Sequence, residues 1–345
     1  MKYYEKYIKN LQLTDKEKED LLKKVELEEK TEVPFIMNTY HLSNILGIRW
    51  EPFKRVIKEA NRMYYEFSIP KKNGGERKIS MPNRELLIIQ TQIKEKILDN
   101  IIIHKNAYGF AKNKSIKDNA IVHLNQEMIL NMDLKDFFPS IHKGRIYYIY
   151  KNLCKYDNNT SYCLTQLTTY KNALPQGAPT SPILSNIVAY MLDVRLSKLA
   201  EKFNINYTRY ADDITFSGSK TNINNSLLKI VENIIKDCGF SVNNKKTRFA
   251  SQSGRQEVTG LIVNNKEVNV SKEYIKEIRQ EIYYIKKYGL KSHREKVGFK
   301  NKYYKDHLLG KILFVKQINE KKGNMLLNEF LTINWDNNEN DDKMI

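Results

Sequence analysis

The feature that most constrains this chain is a pair of adjacent carboxylates, Asp212 and Asp213, between two alternating segments. Residues 207–209 and 214–217 alternate bulky side chains with small or polar ones, a pattern typical of short β-strands. This pattern predicts a tight hairpin whose turn presents both carboxylates together. An isolated Asp-Asp pair is most often an ordinary polar turn. The interpretation as a metal site therefore depends on the other acidic residues of the chain.

A third carboxylate, Asp133, follows an apolar segment at residues 128–132, which predicts a strand that ends at this acid. A strand-end Asp beside a hairpin Asp pair is the ligand set of a two-metal phosphoryl-transfer site, which stabilises the attacking and leaving oxygens of an in-line displacement. Because Mg²⁺ retains several water and substrate ligands, two or three carboxylates suffice. We expect Asp133 and Asp212 to be the principal ligands and Asp136 to be a structural or solvent-facing acid.

Three segments, in this order, resemble the catalytic motifs of reverse transcriptases. Residues 133–141 are similar to the first catalytic motif of that family, residues 174–182 to its nucleotide-binding motif, and the Tyr-Ala-Asp-Asp run at residues 210–213 to its central motif. The resemblance implies that Asp213 is a third, more loosely engaged carboxylate. It also implies that the cofactor is a pair of Mg²⁺ ions, for which Mn²⁺ can substitute.

Two further elements narrow the resemblance to retron reverse transcriptases. An Asn-Ala-x-x-His element lies at residues 119–123, and a Val-Thr-Gly triplet lies at residues 258–260. The resemblance begins at about Tyr64 and implies an RNA-directed DNA polymerase. Such an enzyme copies its cognate structured noncoding RNA into multicopy single-stranded DNA, and synthesis starts from an internal 2′-hydroxyl of that RNA. It also implies dNTP substrates, a branched RNA–DNA product, a separate effector protein and a role in antiphage defence.

Two alternative functions remain open. A reverse transcriptase of the group II intron or abortive-infection type would share the Asp motifs, although residues 119–123 and 258–260 argue against it. A non-catalytic RNA-binding protein on the same scaffold would retain the basic charge and lose carboxylates, but all three carboxylates are present here.

The resemblance and the order of elements predict an α+β chain with the right-hand polymerase fold, in which fingers and a helical thumb flank a palm built on a split βαβ sheet. The predicted units are an N-terminal helical segment (1–63), a fingers hairpin and helix (64–100), a palm interleaved with part of the fingers (101–270), a helical basic thumb (271–335) and a polar tail (336–345).

The incoming nucleotide is expected to meet residues from the fingers and the palm. A basic glycine turn in the fingers presents Lys72 and Arg77, which suit phosphate binding unless the hairpin tip is only solvated. Phe138 occupies the position where the family packs an aromatic ring under the sugar. Such a ring would collide with a 2′-hydroxyl and therefore predicts preference for deoxynucleotides. Core packing is the alternative, and it is expected for the neighbouring Phe137.

Three more nucleotide contacts are implied by the resemblance. Gln176 and the small residue Gly177 allow close approach of nucleotide and template. Lys246 resembles a family lysine that protonates the leaving pyrophosphate, and the adjacent Lys245 is the competing candidate.

The charge of the chain agrees with a nucleic-acid partner. It has 58 Lys and Arg against 40 Asp and Glu, which gives a formal net charge of +18. Its 22 Tyr and 13 Phe are scattered among the basic residues. No apolar run approaches the roughly 18 residues of a membrane-spanning helix. The predicted thumb concentrates basic and aromatic side chains, including Tyr283, Tyr284, Lys286 and Lys287, although an ordinary helical domain with a solvated basic face would show the same pattern.

The two retron-like elements add further candidate RNA contacts. Asn119 and His123 are predicted to hold the folded RNA or to pack, because a lone His without a carboxylate partner is a poor general base. Val258, Thr259 and Gly260 lie where the family has its primer grip, and a plain strand-turn is the alternative.

The remaining expectations concern the protein's surroundings. Three cysteines without metal-ligand spacing, and an N-terminus that opens directly into charged residues, predict a reducing cytoplasm and no secretion signal. After the thumb there is no room for a ribonuclease H domain. Removal of the template RNA is therefore expected to require a host ribonuclease H.

Overall fold

The secondary structure is known for the residues that the computed structural model describes, which are 19, 33–70, 74–299 and 303–335. The strands are β1 (Tyr64–Pro70), β2 (Glu76–Pro82), β3 (Met128–Asp133), β4 (Asn206–Tyr210), β5 (Asp213–Gly218), β6 (Arg248–Ser251), β7 (Glu257–Val258) and β8 (Leu261–Ile262). The α-helices are α1 (Thr39–Leu46), α2 (Trp50–Glu59), α3 (Arg84–Lys96), α4 (Ile116–Ile121), α5 (Phe137–Ser140), α6 (Lys143–Tyr148), α7 (Asn158–Thr168), α8 (Ser181–Val188), α9 (Tyr190–Lys202), α10 (Asn225–Asp237), α11 (Lys272–Tyr288), α12 (Leu290–Val297), α13 (Tyr304–Ile318) and α14 (Glu320–Leu331).

The central sheet has the strand order β4-β5-β3-β6, and every neighbouring pair is antiparallel. The predicted hairpin is confirmed, because β4 and β5 pair up to Tyr210 and Asp213. The predicted strand before Asp133 is also confirmed, and its register with β5 places Asp133 directly opposite Asp213. This mixed arrangement of helices and sheet is the palm of a right-hand polymerase fold.

The two faces of this sheet differ in chemistry. Ile214 and Phe216 of β5 lie on the face that packs into the large helical core. On the opposite face, Thr215 and Ser217 of β5 carry hydroxyls, and both are buried. The short helix α4 contacts β4, and His123, just after this helix, lies against the polar face.

The apolar side chains form two separate clusters. The larger cluster contains residues between 33 and 240, including Leu86, Ile89 and Ile93 of α3. The smaller cluster contains residues between 258 and 335, together with Ala120 of α4 and Ile129 of β3. The helices α11 to α14 therefore share a core of their own that reaches the palm through α4 and β3.

The fingers hairpin β1–β2 joins the palm through main-chain contact. The amide of Ser80 donates to the carbonyl of Gln176 at 2.8 Å. Gly177 follows with a φ of +132°, and a Cβ there would lie 2.9 Å from the Ser80 carbonyl oxygen. A glycine is required at this position because the strand backbone lies against it.

Several predicted features lie outside the described residues. These are residues 1–18 and 20–32 of the predicted N-terminal helical segment, Lys72 at the tip of the fingers hairpin, and the polar tail at residues 336–345. In the part of the chain that is described, no helix is both long and apolar enough to cross a bilayer.

The thumb offers a test of its packing through two glycines on adjacent helices. A Cβ on the buried Gly323 of α14 would overlap the backbone of Lys316, whereas a Cβ on Gly310 of α13 would meet nothing within 4 Å. We expect Gly323→Ala to lower the free energy of unfolding by about 1–3 kcal/mol through overpacking. Gly310→Ala, the matched control, should raise it by about 0.5–1 kcal/mol. Denaturant unfolding measures both, and equal stability of the two variants would contradict the close packing of α13 and α14.

Candidate active site

The catalytic candidates meet at one edge of the central sheet. Asp133 ends β3, Asp213 begins β5 opposite it, and the carbonyl of Asp212 accepts a hydrogen bond from the amide of Leu134 at 2.9 Å. Ala211 takes a left-handed conformation with a φ of +57°, which allows the tight turn. The turn is thereby joined to β3 as well as to its own hairpin. The structure thus brings the three predicted carboxylates together.

Asp133 has two side-chain partners from the segment after α10. Lys246 Nζ lies 2.5 Å from Asp133 Oδ2, and Asn243 Nδ2 donates to Asp133 Oδ1 at 2.9 Å. The amide of Asn243 also donates to the main-chain carbonyl of Asp133 at 2.8 Å. Among the described contacts, Lys246 rather than Lys245 reaches the carboxylates. Its hydrogen bond to Asp133 raises the pKa of Lys246, so the ammonium is retained at the site.

Burial, and after it the nearness of like charges, raises the pKa of both turn carboxylates. Loss of solvation and repulsion from Asp133 raise the pKa of Asp212. Loss of solvation, followed by repulsion from Asp212 and Asp133, raises the pKa of Asp213 to about 6. Asp213 nevertheless has an exposed surface at the mouth of the site. The site therefore favours binding of positive charge.

The donor set suits a hard divalent cation, because all of its candidate ligands are carboxylate oxygens. Among the described residues, no three His, Cys, Asp or Glu side chains are already arranged as a complete metal site. Asp133 forms an ion pair with Lys246. Asp212 and Asp213 lie beside it, and loss of solvation and mutual repulsion disfavour the ionised form of Asp213. Asp136 precedes α5 without a side-chain capping hydrogen bond and is exposed, as expected for a solvent-facing acid.

The candidate nucleotide residues surround this edge. Phe138 is half-buried, and its ring centroid lies 6.2 Å from that of Phe110, whereas Phe137 is buried in the core as predicted. Arg77 is close enough for its charge to favour ionised Asp212. Gln176 and Gly177 contact the β2 backbone, so the small residue is explained by the fingers contact alone. Lys72 lies outside the described residues.

The Asn-Ala-x-x-His element lies in the interior. His123 has no exposed surface, and its two ring nitrogens lie 2.7 Å from the hydroxyls of Ser217 and Thr208 on the polar face of the sheet. Asn119 is 1% exposed, and its amide nitrogen donates to Thr259 Oγ1 at 3.5 Å. The prediction that these two side chains contact RNA does not fit their burial, which leaves the packing interpretation.

The Val-Thr-Gly triplet forms the β7–β8 turn, as the strand-turn alternative predicted. Thr259 and Gly260 have φ values of +48° and +84°, and positive φ at both central residues is typical of a two-residue hairpin turn. Val258 is fully buried in the smaller apolar cluster, so it is not a nucleic-acid contact. Thr259 and Gly260 retain exposed surface.

The candidate RNA contacts of the thumb lie on α11. One face of the helix buries Ile278, Ile282 and Ile285. Another face lines a groove of about 580 Å³ formed by Lys272, Ile275, Lys276, Arg279, Gln280, Tyr283 and Tyr284. Tyr283 is 55% exposed, whereas Tyr284 is half-buried and its ring stacks on His293. Lys286 and Lys287 are exposed beside the groove.

Sequence reasoning missed a group of buried polar residues beneath the catalytic turn. Arg209 immediately precedes Tyr210 and is fully buried, with Asp193 and Asn186 as partners. The available signal was the position of Arg209 two residues after Tyr207, on the strand face that pairs with Ile214 and Phe216, where a charge requires a buried partner. Asn243 was also missed, and no pattern in the sequence distinguishes it from its neighbour Asn244.

The comparisons with known proteins agree with this geometry. The family model described as reverse transcriptase (RNA-dependent DNA polymerase) matches residues 69–311. This chain belongs to the reverse transcriptase family. The retron Ec86 reverse transcriptase of Escherichia coli is 35% identical over 73% of this chain and 79% of its own length.

Two relatives from Myxococcus xanthus extend the comparison. The retron Mx162 reverse transcriptase is 34% identical over 71% of this chain and 57% of its own length. The retron Mx65 reverse transcriptase is 31% identical over 78% of this chain and 64% of its own length. The matched part therefore spans about three fifths of these two relatives. The present reverse transcriptase is an RNA-directed DNA polymerase of the retron type.

The burial of His123 makes the stability of this reverse transcriptase depend on pH. Burial lowers the pKa of His123 from 6.5 to about 3, so the unfolded chain binds a proton that the folded chain does not. The stabilisation is complete above pH 6.5 and is lost as the pH falls toward 3, by up to about 1.4 kcal/mol per pH unit. We expect His123→Gln to lose this slope in urea unfolding measured between about pH 5 and 7.

The control is His142→Gln, since His142 is exposed. That variant should retain the wild-type slope. An unchanged slope in His123→Gln would show that the ring is accessible to protons in the folded enzyme.

Proposed function

We propose that this reverse transcriptase copies its own structured noncoding RNA into multicopy single-stranded DNA, starting from the 2′-hydroxyl of an internal guanosine. One combination of features supports this proposal. Three carboxylates lie at one edge of the sheet, the elements at residues 119–123 and 258–260 contact each other, and the chain has retron relatives. The product is a branched RNA–DNA molecule.

The chemistry assigned to the carboxylate edge is in-line phosphoryl transfer. Two Mg²⁺ ions, replaceable by Mn²⁺, would be held by Asp133, Asp212 and Asp213 and would supply charge to the attacking and leaving oxygens. Lys246, already at the site as an ammonium, is placed to give a proton to the leaving pyrophosphate. Arg77 adds positive charge near the phosphates, and Lys72 is assigned there from the sequence.

The specificity for RNA is assigned to the thumb groove and the turn at Thr259 and Gly260. The groove combines Lys272, Lys276 and Arg279 with the exposed ring of Tyr283. An A-form helix presents a shallow minor groove with 2′-hydroxyls, which a basic aromatic helix face can contact. Lys286 and Lys287 would add phosphate contacts that are independent of RNA sequence.

The remaining partners follow from the retron assignment. The enzyme would work in the cytoplasm with dNTPs, a host ribonuclease H that removes template RNA, and a separate effector protein in antiphage defence. Support comes from the relatives' retron assignment and from the reduced cysteines, of which Cys154 and Cys163 are buried.

Selection of the sugar can be tested at Phe138. If the half-buried ring lies beneath the ribose, Phe138→Ala should open space for a 2′-hydroxyl and raise ribonucleotide incorporation about tenfold or more relative to dNTP incorporation. The neighbouring Phe137→Ala is the matched control, because this core ring should cost about 3–5 kcal/mol of stability without changing selectivity. Single-nucleotide extension with each triphosphate, beside thermal unfolding, separates the two. A stability loss in Phe138→Ala at unchanged selectivity would assign Phe138 to the core.

The retron assignment itself can be tested in cells. Expression of the gene with its upstream DNA should yield short single-stranded DNA whose 5′ end becomes free only after treatment with debranching enzyme. Asp212→Asn keeps the shape of the turn and removes a ligand charge, so it should abolish the DNA while leaving RNA binding intact. Short DNA with a 5′ end that is free before debranching would refute 2′-hydroxyl priming, even if polymerase activity persists.

A further inference from the structure

A buried ion pair lies directly beneath the catalytic turn. The guanidinium of Arg209 binds both carboxylate oxygens of Asp193, with Nε at 2.7 Å from Oδ1 and Nη2 at 2.6 Å from Oδ2. Both side chains have no exposed surface. Such a pair is costly to bury, and its bidentate geometry recovers part of that cost.

The remaining donors of Arg209 face the turn and a neighbouring helix. Nη1 donates to the carbonyl of Ala211 at 2.9 Å, and Nη2 donates to Asn186 Oδ1 at 3.1 Å. Ala211 is the left-handed residue that immediately precedes Asp212. One side chain therefore joins the catalytic turn to α8, which carries Asn186 and follows the nucleotide-binding motif at residues 174–182.

The turn is also confined from its other side. Asn186 Nδ2 donates to the carbonyl of Gly109 at 2.8 Å. A Cβ on Gly109 would overlap the backbone amide of Ala211, so the Gly109 segment lies in close contact with the turn. The amide of Tyr108 donates to the carbonyl of Arg209 at 2.7 Å. The position of Ala211 is thus determined by Arg209, Asn186 and Gly109 together.

We infer that Arg209, held by Asp193 and Asn186, is a positioning residue that fixes the Asp212–Asp213 turn at the distance from Asp133 that metal binding and catalysis need. The three carboxylates at this sheet edge repel each other. Lys246 forms an ion pair with Asp133, and among the described contacts neither Asp212 nor Asp213 has an ion pair of its own. Fixing the Ala211 carbonyl from below prevents the turn from relaxing away from β3. The planar guanidinium donates to both oxygens of Asp193, to the Ala211 carbonyl and to Asn186 at once, four hydrogen bonds that the three donors of a Lys ammonium cannot reproduce.

The test compares variants that touch the turn with one that does not. Arg209→Lys retains the charge but loses the fork, and Asn186→Ala removes the link between Arg209 and the Gly109 carbonyl. The control is Tyr207→Phe, because the Tyr207 hydroxyl donates to the same Asp193 oxygen at 2.7 Å without contacting the turn. All three changes remove buried hydrogen bonds, so each should lower the melting temperature.

Two readouts separate positioning from stability. Binding of Mn²⁺ is measured by electron paramagnetic resonance of the free ion, with enzyme on a dideoxy-terminated primer–template and dNTP. Steady-state extension gives kcat and KM for dNTP. We expect Arg209→Lys and Asn186→Ala to bind Mn²⁺ about tenfold more weakly and to lower kcat about tenfold or more, with KM changed by about twofold at most. Tyr207→Phe should match wild type in both readouts.

The inference would be overturned if Arg209→Lys and Asn186→Ala differ from wild type only in melting temperature, or if Tyr207→Phe loses Mn²⁺ affinity and kcat equally. Asn186→Ala decides the matter if Arg209→Lys does not fold. The readouts rest on the proposed metal site, and the two proposals fail differently. A wild-type enzyme that binds no Mn²⁺ would refute the metal assignment, and the change in kcat against KM would then decide the role of Arg209.

Discussion

Electrostatic repulsion among three carboxylates at one sheet edge is the constraint on which the rest of this structure depends. Asp133 and Asp213 are paired across β3 and β5, and Asp212 is joined to β3 through its main-chain carbonyl. This arrangement is unfavourable without a cation: loss of solvation, and then repulsion from Asp212 and Asp133, raise the pKa of Asp213 to about 6. The antiparallel register supplies the rigidity that holds like charges together, and Lys246 supplies one compensating charge.

The strand register that brings the carboxylates together also places polar side chains on one face of the sheet. Residues 131, 133, 213, 215 and 217 share one face by register, so the catalytic carboxylates continue a row of polar side chains. Those polar groups require partners once covered. Thr215 donates to Asn131, and Ser217 meets His123, whose other ring nitrogen reaches Thr208. The opposite face packs into the large apolar core, and there the buried Arg209 has Asp193 and Asn186 as its partners.

The sequence predicted the catalytic edge well because carboxylates, strands and a tight turn leave local patterns. Burial leaves no such pattern for a polar residue. His123 and Asn119 were predicted among RNA contacts because their element resembles one of retron reverse transcriptases, yet tertiary packing places both in the interior. The ion pair of Arg209 was not predicted, because its partner Asp193 lies sixteen positions away along the chain. The choice between Lys245 and Lys246 likewise required the fold of the segment after α10.

The interior position of His123 and Asn119 gives the retron-like elements a different physical meaning. Both residues belong to one short segment that begins in α4, and that segment has two contacts. Asn119 meets Thr259 of the β7–β8 turn, and His123 meets the hydroxyls behind the catalytic sheet. Ala120, between them, joins the thumb core. The element at residues 119–123 is therefore a structural connection between the thumb and the palm, since it contacts the β7–β8 turn at one end and the catalytic sheet at the other.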